Sequence, residues 1–318
     1  MAHIQDGKAA LKSEINGFTG KVIRDFRKNK LVYLMVLPVV VYYIIFHYGP
    51  MYGLQIAFKD YSPGLGFLKS PWVGFKHFTD FFQSIFFLRV FRNTILLSVY
   101  DLIFGFPAPI ILALLLNELR SIRFKRVVQT VSYIPYFISA VVICGMIKDF
   151  TLSDGLINDV IVLFGGERSP ILQEAGKFRS IFVSSNIWQG VGWGSVIYIA
   201  ALAGIDQEIY QAAIIDGAGR FRRIWHVSIP GILPTVIILL ILSIGHLLSV
   251  SFEKIILLYN PSIYETADVI SSYVYRKGIQ QFNFSFSSAI GFFNSVLNFI
   301  LLVMANYLSK KFSETSLW

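Results

Sequence analysis

The sequence predicts an all-α integral membrane protein with about six transmembrane helices, and three observations carry that expectation. Of its 318 residues 55% are hydrophobic and 15% charged, at a mean hydropathy of +0.61, a more apolar and less charged balance than soluble domains have. Six stretches approach the roughly 20 apolar residues that cross ~30 Å of hydrocarbon as a helix. They lie near 31–48, 94–117, 127–147, 180–203, 231–252 and 286–308. Lysine and arginine collect in alternate connections between them, the asymmetry that orients membrane proteins.

The elements follow in order. Residues 1–30 carry Lys8, Lys12, Lys21, Arg24, Arg27, Lys28 and Lys30 without a short apolar core or a small-residue cleavage site. A cleaved signal peptide is therefore not expected, and the segment is assigned to the cytoplasm. The first span contains Pro38 and the second Pro107 and Pro109, where kinks are expected and neighbouring helices must satisfy the freed carbonyls. Between them, turn residues around Pro63 and Gly64 precede an aromatic run from Phe75 to Phe87, expected to lie in the outer interface or to pack on the spans. Cys144, the single cysteine, falls inside the third span as a packing residue. Leu156 to Leu163 reads as a short helix between glycine and proline breaks. Gly190, Gly192 and Gly194 in the fourth span suit close helix approach. Residues 253–285 read as an irregular outward loop.

Residues 205–230, IDQEIYQAAIIDGAGRFRRIWHVSIP, interrupt the apolar pattern. Ile209, Ala212 and Ala213 share one helical face, and Phe221, Ile224 and Trp225 repeat the i, i+3, i+4 spacing. Two short amphipathic helices are expected, joined by a turn at Asp216-Gly217-Ala218-Gly219, where glycine tolerates the positive φ that ends a helix. Six spans place both termini on one side. The N-terminal segment, the 118–126 loop, the 205–230 loop and the 309–318 tail hold 16 of the 28 lysines and arginines. These four therefore face the cytoplasm under the positive-inside rule. The same rule accounts for the net charge of +9 as lysine and arginine beside anionic headgroups, so membrane lipid is a partner and nucleic acid is not implied.

Several chemistries are excluded. The nearest approach to a phosphate-cradling loop, Gly176-Lys177-Phe178, has Ile171 where the first glycine belongs and no hydroxyl after the lysine. The chain is not expected to hydrolyse ATP itself or to bind a cofactor. His47, His77, His226 and His246 form no ligand spacing, so no metal site is expected. Only Asp101 sits well within an apolar run, and no lysine or arginine cluster lies there to demand an anionic substrate. An ion- or proton-coupled carrier would show functional carboxylates and repeated halves, and a membrane transferase paired acids; the sequence shows neither.

The 205–230 loop resembles the EAA motif of the permease subunits of ABC importers. Ala212, Ala213, Gly217, Val227, Ile229 and Pro230 stand at the matching places. The resemblance continues through Trp72 to Phe78, Arg92-Asn93-Thr94, Leu112 to Glu118, Ile134-Pro135-Tyr136 and Ile187-Trp188-Gln189, covering roughly residues 72 to 308. With the first span and Met51 to Asp60, it is similar to the maltose-permease-like oligosaccharide and polysaccharide branch. The resemblance implies a MetI-like type I importer fold: a permease domain over 31–308 with its cytoplasmic coupling helix in the 205–230 loop. Its implied partners are a second homologous permease, two ATP-binding subunits that bind ATP and magnesium, an extracytoplasmic solute-binding protein and an oligosaccharide. The implied location is the bacterial cytoplasmic (inner) membrane.

Carried over residue by residue, Gln211, Ala212, Ala213, Asp216, Gly217, Ala218 and Pro230 become the ATPase-coupling set. Ala212 and Ala213 would permit close approach, Gly217 would make the turn, and Asp216 would cap the second short helix. Phe221 and Trp225 are expected to anchor the knob back onto the permease. One departure is Gln211, where the family has glutamate: an amide can hydrogen-bond but cannot supply the ion pair. For the saccharide, aromatic faces and amide side chains within spans are the candidates: Tyr136, Asn186 and Gln189, then Trp188, Trp193, Asn294 and Asn298. Hydrogen bonding between helices is the competing role for the asparagines. An acidic glycan such as an alginate oligosaccharide stays open, as does the ion-coupled carrier.

Overall fold

The computed structural model describes Asp25, residues 28–312 and 315–317. Most of the N-terminal segment 1–30, and residues 313, 314 and 318 of the tail, lie outside the described residues. The described chain is helical, with an isolated antiparallel bridge between Lys59 and Trp72. It divides into two compact units, residues 1–56 with 62–70, and 57–61 with 71–318.

The first unit contributes most of helix α1, Lys30–Phe58. Pro38 lies inside it, and the helix loosens into a π turn over Ile44–Tyr48. At about 1.5 Å per residue its 29 residues reach across a bilayer. Leu31, Met35 and Phe46 are exposed, a surface suited to lipid rather than water.

In the second unit, α2 (Lys76–Phe82) carries Phe81 into an aromatic cluster. Its ring stands edge-on to Phe87 at 5.1 Å and to Phe293 at 6.0 Å, so the aromatic run packs on the spans. Helix α3 (Phe87–Asn117) follows, with a π turn over Asp101–Gly105. Pro107 has no N–H to donate, and the Phe106 N–H just before it reaches five residues back to the Asp101 carbonyl at 3.2 Å. The expected disturbance at Pro107 thus takes the form of a widened turn.

The third expected span, 127–147, is not one helix. Helix α4 (Ile122–Phe137) and the helical stretch Ala140–Leu163 meet at 98°. Pro135 lies in the last turn of α4, Ile138 and Ser139 turn extended, and the Ser139 hydroxyl accepts from the Val142 N–H to start α5 (Ala140–Thr151). Helix α6, Leu156–Leu163, has the expected bounds.

Helix α7 (Ala175–Ala203) forms the fourth span, and α8 (Gln207–Ile215) leaves it at 75°. The fifth span, α9 (Arg220–Gly245), begins at the far side of the turn. The second short helix expected in the knob is therefore not separate: Arg220–Arg223 runs through a π turn, Ile224–Ser228, directly into the span. Because no glycine or proline separates Arg223 from Ile229, nothing stops the helix there.

Residues 253–285 are not irregular. They form α10 (Phe252–Leu258) and α11 (Ile270–Tyr275) before the sixth span, α12 (Phe284–Phe312). Ile255, Leu258, Ile263, Ala267 and Val269 are fully buried against Leu97, Cys144, Phe178 and Phe182. A buried carboxylate ties this segment down: Asp268 accepts from Arg89 at 2.9 Å, Arg276 at 2.8 Å and Ser272 at 2.9 Å. Asn93 in turn donates to the Glu265 and Asp268 carbonyls and accepts from Arg179.

Candidate functional site

One candidate site is the turn at Gly217. Asp206 starts α8, its carboxylate accepting from the Glu208 N–H at 2.9 Å. The helix ends when Ala218 N–H bonds to the Ala213 carbonyl and Gly217 N–H to the Ile214 carbonyl. That pairing is a Schellman stop, with Gly217 at φ +74° in its left-handed position. Asp216 is the C-cap of α8, directly after Ile215, rather than the cap of the next helix; Gly219 precedes Arg220 instead, without a side-chain cap. The expected capping role of Asp216 is thereby corrected. Gln211, Ala212 and Pro230 are exposed, and Ala213 and Ala218 half-buried.

Phe221 and Trp225 do not anchor this knob. They are 89% and 70% exposed, because the helix that carries them continues straight into α9 and turns that face outward. Other residues do the anchoring. Arg223 donates to Glu118 at 3.3 Å, across the end of α3, and the Tyr210 and Ser228 hydroxyls bond at 2.9 Å. The Ile205 side chain fills the space a Cβ on Gly231 would need.

The second candidate site lies among the spans, as two neighbouring cavities of about 270 and 440 Å3. Asp101, Gly105, Asn186 and Ser251 line both. The larger also takes Tyr136, Gln189 and Gly190, so the three leading saccharide candidates do share one wall. The smaller adds Ser98, Ser243, His246 and Ser249. The Ser98 hydroxyl is buried without a hydrogen-bond partner. Asn186 donates to Asp101 at 3.3 Å and accepts from the Lys254 ammonium at 2.7 Å. Gln189 donates to the Ile138 carbonyl at 3.3 Å, at the break between α4 and α5.

The other pathway candidates fall elsewhere. Trp193 stacks on Tyr136 at 5.0 Å and 11°, bracing it beside the cavity, and Trp188 is exposed; neither lines either of these two cavities. Asn298 accepts from the Leu248 N–H at 3.0 Å and donates to Ser249 at 3.1 Å, and Asn294 donates to the Leu248 carbonyl at 3.4 Å. Both asparagines satisfy backbone freed where α9 ends, so the competing structural role holds for them. Gly192 is a packing residue, since a Cβ there would collide with the Ser132 carbonyl, whereas Gly190 faces open space. Lys254 escaped sequence reasoning because it lies in a segment read as an outer loop; it is 4% exposed. A lysine among apolar residues, two positions past the expected fifth span, was the available signal.

Residues 105–314 match the family described as binding-protein-dependent transport system inner membrane component. The chain belongs to that family. Among curated permeases it is similar to Protein LplB of Bacillus subtilis (strain 168), 48% identical over 293 residues and 92% of each chain. It is also similar to the polygalacturonan/rhamnogalacturonan transport system permease protein YteP of the same organism, 44% identical over 92% of this chain and 91% of that one. A crystal structure of a bacterial alginate ABC transporter, in complex with an alginate pentasaccharide-bound periplasmic protein, contains a chain 41% identical to this permease. That match has a TM-score of 0.86 and covers 92% of this chain and 99% of the other. The family and these permeases place the chain in an inner membrane as a multi-pass transport component, all-α and MetI-like, as expected.

Proposed function

We propose that this permease is one of two transmembrane subunits of a type I ABC importer for an oligosaccharide. The single observation that carries the reading is the conjunction of a polar, hydroxyl-rich cavity among the spans with a rigid turn at Gly217 at the end of two of them. A saccharide needs the first, because sugar hydroxyls must trade water for polar side chains. An ATP-driven partner needs the second, because a turn held by backbone bonds and by Arg223–Glu118 transmits a push rather than absorbing it. In this reading both termini and the turn face the cytoplasm, in keeping with the basic loops. Ala212, Ala213, Gly217 and Ala218 dock on an ATP-binding subunit largely by shape, Gln211 adding a hydrogen bond. The permease is not itself an enzyme; two such subunits bind ATP and magnesium. A second homologous permease completes the pathway, and an extracytoplasmic solute-binding protein delivers the substrate. Relatives at 24–27% identity are named for arabinooligosaccharides and sn-glycerol-3-phosphate, whereas those at 41–44% are named for acidic glycans, polygalacturonan/rhamnogalacturonan and alginate, which favours an acidic oligosaccharide here.

Purification of the detergent-solubilised chain with its associated proteins tests the reading. The expected partners are a second permease, an ATPase and a binding protein, and vesicles reconstituted with all of them should take up saccharide only with ATP inside. Uptake that persists after every co-encoded ATPase is deleted would overturn the reading in favour of an ion-coupled carrier. Asp101 gives that carrier little support, because its carboxylate is already held by Asn186 and faces a lysine behind it.

A further inference from the structure

We propose that Lys254, acting through Asn186, compensates the Asp101 carboxylate and thereby lets the cavity pass a saccharide that bears carboxylates. The inference deepens the importer reading and rests on it. Three elements meet here: Asp101 at the π turn of α3, Asn186 in α7 and Lys254 in α10. Among the described residues that line the two cavities, Asp101 is the single carboxylate. Left alone in a low-dielectric wall, it would repel a uronate, because charge is screened far less there than in water. Lys254 does not line either cavity. Its ammonium donates to the Asn186 carbonyl oxygen at 2.7 Å and lies 3.5 Å from the Ser185 hydroxyl, while the Asn186 amide points its N–H at Asp101.

The positive charge therefore stands behind the wall, cancelling the carboxylate's field without itself gripping an anion. That arrangement suits passage, where a bare cation would hold an acidic sugar too tightly to release it. Asp101 keeps acceptor capacity for sugar hydroxyls, and the buried, unpartnered Ser98 hydroxyl on the same wall offers a further polar contact.

The test uses the complete transporter in proteoliposomes with two probes of one shape, trigalacturonate and its fully methyl-esterified, neutral form. The readout is the acid-to-ester uptake ratio of each variant relative to the unaltered complex. Lys254→Met should lower that ratio about tenfold or more, Lys254→Arg should keep it, and Asp101→Asn with Lys254→Met should restore it to within about threefold. Equal loss of both probes in Lys254→Met, or a ratio unmoved by it, would overturn the charge-compensation role and leave the importer reading standing. If Lys254→Met does not reach the membrane, Asp101→Asn alone decides: the ratio should rise, and a ratio unchanged or lowered overturns the proposal. An unaltered complex that moves neither probe overturns the acidic-saccharide reading, and the proposal with it.

Discussion

The Gly217 turn and the Asp101 cavity are both small polar features in an apolar protein, yet they are built in opposite ways. The turn is local: its helix stop, its left-handed glycine and the Asp206 cap all lie between residues 206 and 218. The cavity is assembled from positions far apart, Asn186 being 85 residues from Asp101 and 68 from Lys254. A local device can be rigid while the knob's surface stays exposed. An assembled one depends on every contact that holds distant segments in place, and above all on how residues 253–285 are tied into the core. The proposed coupling contact and the proposed substrate contact thus differ in what can disturb them.

The largest effect should come from breaking the local device. Gly217→Pro cannot adopt φ +74° and removes the N–H that bonds to Ile214, a local cost of about 3 kcal/mol or more. ATP-driven uptake should fall about 100-fold, while the binding protein's affinity for its ligand is unchanged; near-normal uptake would remove the turn from the coupling path.

Next comes the tie that holds the assembled device. Asp268→Ala leaves Arg89 and Arg276 half-buried without their shared carboxylate and should cost about 3–5 kcal/mol, read as a lower Tm of the solubilised chain. An unchanged Tm would mean that apolar packing alone seats residues 253–285. Helix α7, which carries part of the cavity wall, then offers a contrast. Gly192→Ala drives a methyl into the Ser132 carbonyl and should destabilise by about 1–3 kcal/mol. Gly190→Ala meets open space and should stabilise α7 by roughly 0.5–1 kcal/mol. An effect of similar size to the last is expected where the knob meets the end of α3. A double-mutant cycle on Glu118 and Arg223 should return about 1 kcal/mol of coupling, since the pair is only partly buried; a value near zero would leave Tyr210–Ser228 and Ile205 to hold the knob.

Much of this was legible before any fold was known. Apolar run length located the spans, and the glycine and the alanine pair located the turn, because a helix stop is decided by residues within one turn of each other. The failures share a cause. The third span breaks at Ser139 although its composition is apolar on average, because Pro135 and a serine cap act against the hydropathy average. Residues 253–285 looked like an outer loop because Lys254, Asp268 and Arg276 dilute the apolar pattern; once paired, those charges are compatible with burial. Asn294 and Asn298 looked like substrate groups because a polar residue in a span needs a partner, and which partner it finds is not a local property.

Composition and spacing thus determined the all-helical membrane architecture and the Gly217 turn, since hydrophobic length and backbone stereochemistry act over a few residues at a time. Which polar groups face a substrate and which satisfy the backbone was decided only in three dimensions. The field at Asp101 is a sum over charges that the folded chain alone brings within reach of one another, and Lys254 joins that sum from a position fixed by its bond to Asn186.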